Sequence, residues 1–191
     1  MHESFLQHLE ICDPDILVAH AMMWADLPHL LRRLADSDRL SPINRVLPPP
    51  KKTGFYKTTR QPIKGRLCFD TAATKEEGSG FEGVWQKAGR GQMVSRKLDW
   101  VATELGFGGK LTSEYPEMTV FNGWYEYFDA FVDYCLRDTT LLRKCDEKLN
   151  CINFHIALQQ LCGVAFFSTH NVSRYFRGLM GRRTNDKALS S

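Results

Sequence analysis

The run Asp13-Pro14-Asp15-Ile16-Leu17-Val18-Ala19-His20-Ala21-Met22-Met23-Trp24-Ala25-Asp26-Leu27-Pro28 is the most informative in the chain. Ile16 to Ala19 are uniformly apolar. Their number and branched side chains predict a strand buried on both faces, as in a parallel sheet. Before it, Phe5, Leu6, Leu9 and Ile11 predict a short helix over 3–11. Asp13-Pro14-Asp15 ends that helix, because proline opposes continuation and restricts the residue before it. After the strand, 26–34 reads as a second helix, with Asp26 able to cap it and Pro28 in its tolerant first turn. Asp26 therefore falls at the carboxyl end of a strand, where α/β folds gather their sites.

Working outward, Leu67-Cys68-Phe69 predicts a second short buried strand, closed by Asp70. Between the two strands, 39–69 holds eight basic residues (Arg39, Arg45, Lys51, Lys52, Lys57, Arg60, Lys64 and Arg66) and no Asp or Glu. Pro48-Pro49-Pro50 marks its middle as a loop or arm. Residues 74–93, rich in Gly and charge, read as a loop. Ser95 reads as the N-cap of a helix carrying Leu98, Val101, Ala102 and Leu105 on one face, ended by Gly106, Gly108 and Gly109. A long helical pattern spans about 124–149, with Phe128, Phe131, Val132, Cys135, Leu142, Cys145 and Leu149 as expected core. Residues 152–180 are expected to be partly helical, with a basic cluster at Arg174, Arg177, Arg182 and Arg183. Strands alternating with helices indicate an α/β layered fold.

The 191 residues suit one domain, or one domain with a tail. A net charge of +3 is too small to diagnose a nucleic-acid partner; its distribution matters more. Six cysteines without a Cys-x-x-Cys pair predict reduced, buried thiols in an intracellular protein, not a zinc site or a disulfide framework. No leader pattern and no membrane-length apolar run are expected, so the chain reads as soluble, with no membrane partner. Gly78 to Gly83 fits Gly-x-Gly-x-x-Gly but lacks the immediately preceding strand and the good following helix that dinucleotide binding needs, and Gly108 to Thr112 lacks the upstream glycine of a P-loop.

Tyr134 and Asp138, four apart within a helix, share one face. Carboxylates converging from separate elements suit a hard divalent cation, which takes oxygen ligands. Two such ions, about 3.5–4 Å apart, can support phosphodiester cleavage.

These stretches together resemble the 3′–5′ proofreading exonuclease of family B DNA polymerases. His20 to Pro28 is similar to that family's second motif in its acid, its proline and its preceding strand, with Ala21 where Asn is usual and Ala25 where Phe is usual. Gly65-Arg66-Leu67-Cys68-Phe69-Asp70 resembles the family's Gly-Arg-hydrophobic-Asp strand, and Ser95 to Gly106 its Ser-x-x-Leu-x-x-Val-Ala helix. Tyr134-x-x-x-Asp138 resembles the third motif of the tyrosine-type four-acid branch.

The resemblance implies a ribonuclease H-like α/β exonuclease fold over 1–150, truncated and lacking the strand that carries the first acidic motif. No Asp-x-Glu occurs in the chain. Residues 151–191 would be a helical connector toward an absent polymerase domain. By the same resemblance, Asp26 and Asp138 would bind Mg²⁺ or Mn²⁺ with two acids from elsewhere. Tyr134 would orient the attacking water, and the substrate would be a single-stranded DNA 3′ end. Lys51, Lys52, Phe55, Tyr56, Lys57 and Arg60 would face DNA, since cations track phosphates and aromatics stack on bases. The missing N-terminal exonuclease segment and the polymerase domain would be the protein partners. Alternative readings are a catalytically silent DNA-binding or assembly module, and an RNA-trimming relative. Loss of the central strand also predicts exposed sheet edges and apolar faces, hence poor solubility or obligate association.

Overall fold

The computed structural model describes residues 2–47, 61–73, 80–108, 117–119, 122–166, 169 and 172–189. The fold is mixed α/β and mostly helical. The two apolar runs form β1 (Ile16–Ala19) and β2 (Leu67–Asp70), which pair directly in parallel, with Ile16 opposite Leu67 and Ala19 opposite Asp70.

Period-2 alternation sends the side chains of the pair to opposite faces. On one face Ile16, Val18, Leu67 and Phe69 join a core built by α3 (Phe81–Lys87), α4 (Leu98–Glu104), α6 (Phe128–Leu149) and α7 (Cys151–Cys162). On the other, Leu17, Ala19 and Cys68 meet α1 (His2–Cys12), a π-helical turn (Met22–Asp26), α2 (Leu27–Arg33) and a 3₁₀ turn (Ser37–Leu40). Helical layers thus cover both sheet faces, which corrects the expectation that these faces lie bare. β1 is half-buried throughout rather than fully buried. At the outer edge of β2, the Gln61 side chain satisfies both backbone groups of Cys68: Oε1 accepts its N–H at 2.5 Å and Nε2 donates to its carbonyl at 3.2 Å. One amide there does what a neighbouring strand would do.

Arg66 locks this architecture. It is 5% exposed. Its guanidinium donates to the Leu40 carbonyl at 3.0 Å and the Pro14 carbonyl at 2.6 Å, and pairs with Asp13 at 2.9 Å. The end of α1, the entry to β1 and the 3₁₀ turn are therefore tied to one buried cation. Gly80 is required where α3 begins: a Cβ there would lie 2.4 Å from the Thr71 carbonyl oxygen.

Three expectations need correction. Residues 81–87 are helical, not loop, because Phe81, Val84 and Trp85 recur at helical spacing and are buried. Ser95 lies outside its helix: α4 starts at Leu98, and the Ser95 hydroxyl accepts the Lys97 N–H at 3.3 Å instead. The long helix breaks at Tyr127, leaving α5 (Gly123–Glu126) separate from α6. Within α6 the inward stripe is Leu141, Cys145 and Leu149, with Leu142 half-buried, whereas Phe128, Val132 and Cys135 are exposed. α6 is apolar on two faces, and only packing selects which one turns inward.

Cys151 and Phe166 belong to the same core as Phe69, so α7 is built into the fold around β2. α8 (Val172–Leu189) packs on α7. All six cysteines are free; Cys12 and Cys135 are exposed and the other four buried. Burial pushes the Cys68 and Cys145 thiols up to about 11, which keeps them protonated and unreactive at neutral pH. No described helix is long and apolar enough to cross a membrane.

Candidate active site

β1 ends at Ala19, and the chain must then turn sharply to start the π-helical turn. Ala21 makes that turn in the left-handed region, at φ 76° and ψ 25°. The turn aims two backbone N–H groups, of Ala21 and Met23, at the Asp70 carboxylate, both at 2.9 Å. The Ala72 N–H adds a third, at 3.0 Å. Asp70 is 7% exposed. Three of its roughly four acceptor directions are occupied by backbone donors. The parallel register produces this: Asp70 lies opposite Ala19 and so points to the same sheet face as the turn that follows it. Beside it, His20 Nδ1 lies 3.0 Å from Thr71 Oγ1, and the His20 ring lies 6.5 Å from that of Phe81.

Asp26 closes the π-helical turn. Its backbone is already helical and its side chain makes no capping bond, which corrects its expected role as the cap of α2. Pro28 does sit in the first turn of α2. The Asp26 residue is open to solvent, yet its carboxyl pKa is raised, first by partial desolvation against the surrounding chain and then by the charge of Asp70. His29, one turn on, opposes the rise. The charge of Asp70, an acid tied to backbone at the carboxyl end of the parallel pair, thus acts on the exposed Asp26. Single-turn π segments recur at functional sites.

Tyr134 and Asp138 lie on α6, half-buried and in line with the inward stripe of Leu141 and Cys145. Tyr134 stacks on Phe131, with centroids 6.1 Å apart. α6 packs chiefly on α3, α4, α5 and α7, whereas the π-helical turn packs on α2, β1 and β2. The neighbour the structure gives Asp26 is Asp70. Asp70 was legible as the end of a strand and in the Gly65–Asp70 resemblance, but its role was not, because it depends on the parallel register with Ala19.

No group of three His, Cys, Asp or Glu able to hold a metal ion forms among the described residues. Mg²⁺ needs several oxygen ligands. Asp70 has already committed most of its acceptor capacity, so these residues do not fit a resident divalent cation on their own. Lys51, Lys52, Phe55, Tyr56, Lys57 and Arg60 lie outside the described residues. The stem of that segment is described: Leu47 N–H donates to Pro62 O at 2.8 Å, and Lys64 N–H to Arg45 O at 3.0 Å. A described basic residue of the α3–α4 loop, Arg96, donates to the Ala72 carbonyl at 3.2 Å, two residues from Asp70. No protein-family model and no curated protein matches this chain.

Proposed function

We propose that this chain is an incomplete 3′–5′ exonuclease module of a family B DNA polymerase, on a ribonuclease H-like fold, that engages the 3′ end of single-stranded DNA. The observation that carries the reading is the exposed Asp26 carboxyl just after a parallel strand, made reluctant to ionise by partial desolvation and by the charge of Asp70. A carboxyl of that kind, at the carboxyl end of α/β strands, is a functional-site candidate. Arg96 and the neighbouring exposed Lys97 bring positive charge to the same rim. In the complete enzyme, Asp26 and Asp138 would share Mg²⁺ or Mn²⁺ with acids from outside this chain, and Tyr134 would lie beside the water that attacks the terminal phosphodiester.

For the chain alone, a second reading is favoured by the saturation of Asp70 and by Ala21 in the motif's Asn position: a silent DNA-binding or assembly module. One experiment separates the two. The chain is incubated with Mn²⁺ and labelled single-stranded or 3′-recessed DNA, with Asp26→Ala and Asp138→Ala controls and a parallel binding titration in salt. Stepwise 3′ shortening that both controls abolish supports the enzyme. Salt-sensitive binding without cleavage supports the silent module. Absence of both refutes a DNA role.

A further inference from the structure

Part of the α6 stripe that sequence spacing assigns to the core is left to solvent. Phe128, Val132 and Leu136 follow one another at four-residue intervals and are 62%, 39% and 62% exposed. Trp124 and Tyr125 of α5 extend the stripe at 61% and 59%. Exposed apolar residues grouped along one helix face in this way mark an interaction surface.

Its electrostatics are one-sided. Between Lys110 and Arg137 the sequence holds Glu114, Glu117, Glu126, Asp129 and Asp133 and no Lys or Arg. Asp129 precedes Val132 by three residues and Asp133 precedes Leu136 by three, so an exposed acidic row runs beside the stripe.

α8 carries the complement. Phe176 and Met180, four apart, are 62% and 51% exposed. Residues 163–185 contain Arg174, Arg177, Arg182 and Arg183 and no acid. Arg177 precedes Met180 by three, repeating the spacing of the acidic row with opposite sign. Arg182 is turned inward, where it donates to the Gln160 and Leu161 carbonyls at the end of α7. α8 packs on α7 and leaves Phe176 and Met180 open to solvent.

We propose that the α5–α6 stripe binds α8 of a second copy of this chain. Phe176 and Met180 cover Phe128, Val132 and Leu136, and Arg177 faces Asp129 and Asp133. The two patches are different surfaces, so the contact is heterologous. It closes as a ring or runs on as a filament.

The test is sedimentation of the full chain and its variants, with thermal melts showing that each variant is folded. Wild type should self-associate, and added salt should weaken it, because the flanking charges are exposed. Phe128→Glu and Phe176→Glu should each weaken association by roughly tenfold or more. Mixing those two variants should restore pairs that grow no further, since one intact contact remains between them. Asp133→Arg should weaken association and recover when mixed with Arg177→Glu. A wild-type monomer at the highest soluble concentration would overturn the proposal and leave the stripe to another partner. Association that persists in both Glu variants, or that fails to return on mixing, would overturn it equally.

Discussion

Replacing Asp70 by Asn tests whether this carboxylate organises the end of the sheet. Asn keeps the shape and one acceptor oxygen but replaces the other with an amide donor. In the structure Oδ1 accepts from Ala21 and Ala72, and Oδ2 accepts from Met23. Whichever way the amide turns, at least one N–H loses a charged acceptor and meets a donor. Losing a hydrogen bond to a charged group costs about 1.5–3 kcal/mol, and leaving a buried donor unsatisfied about 1–3 more. The expected loss is about 3–5 kcal/mol, a large part of the stability of a domain this size. At about 2–4 °C per kcal/mol, Tm should fall by roughly 6–20 °C. Differential scanning calorimetry reads this directly. NMR titration supplies a second readout: with the Asp70 charge gone, the Asp26 pKa should move down toward its ordinary value, although desolvation should keep it somewhat high. A Tm unchanged within a degree or two, or an Asp26 titration that does not move, would refute the geometry described for this corner.

Ala21 has a left-handed backbone, which costs an L-residue roughly 1–2 kcal/mol that Asn tolerates better. Ala21→Asn should therefore stabilise the chain by about 0.5–1 kcal/mol in urea denaturation, and a loss would count against the turn. The raised pKa of Asp26 means that its contribution to stability is fully present below the unfolded value of 3.8 and is lost as pH rises through the folded value. Asp26→Asn should raise Tm at neutral pH, with the gain vanishing in acid below that value; a gain independent of pH would sink this account. Arg66→Ala should cost about 2–5 kcal/mol, because it leaves the Leu40 and Pro14 carbonyls without their donor, while the exposed Asp13 carboxylate stays solvated. Arg66→Lys should recover only part of that loss, since an ammonium cannot reach all three groups in the same plane. Equal stability of the Lys form would show that the fork geometry is unimportant.

Elements whose signals are local were readable along the chain. Asp13-Pro14-Asp15 stops α1 because proline rules out continuation, whatever packs nearby. The two branched runs, each too short for a helix and too apolar for solvent, become β1 and β2. Gly106, at φ 85°, ends α4 because the turn there needs a backbone that glycine adopts freely. Phe81, Val84 and Trp85 also carried a helical signal, hidden by the Gly-rich surroundings. Asp26 was placed correctly after a strand, since that depends only on the order of elements.

Tertiary structure decided what sequence spacing leaves degenerate. α6 has two apolar faces of similar strength, and contact with α3, α4 and α7 turns Leu141, Cys145 and Leu149 inward while Phe128 and Leu136 stay outside. Asp70 could have been a surface acid or a capping group. The parallel register with Ala19 makes it the acceptor for a turn about fifty residues earlier in the chain. Asp26 could have been a simple helix cap, and its pKa is raised by partial desolvation first and by the charge of Asp70 second, both of which packing sets. A one-dimensional pattern specifies local backbone preference, because sterics and solvation act on neighbouring residues. Which face is buried and which charges meet depend on pairings distant along the chain, and the energy of those pairings exists only after the layers have closed.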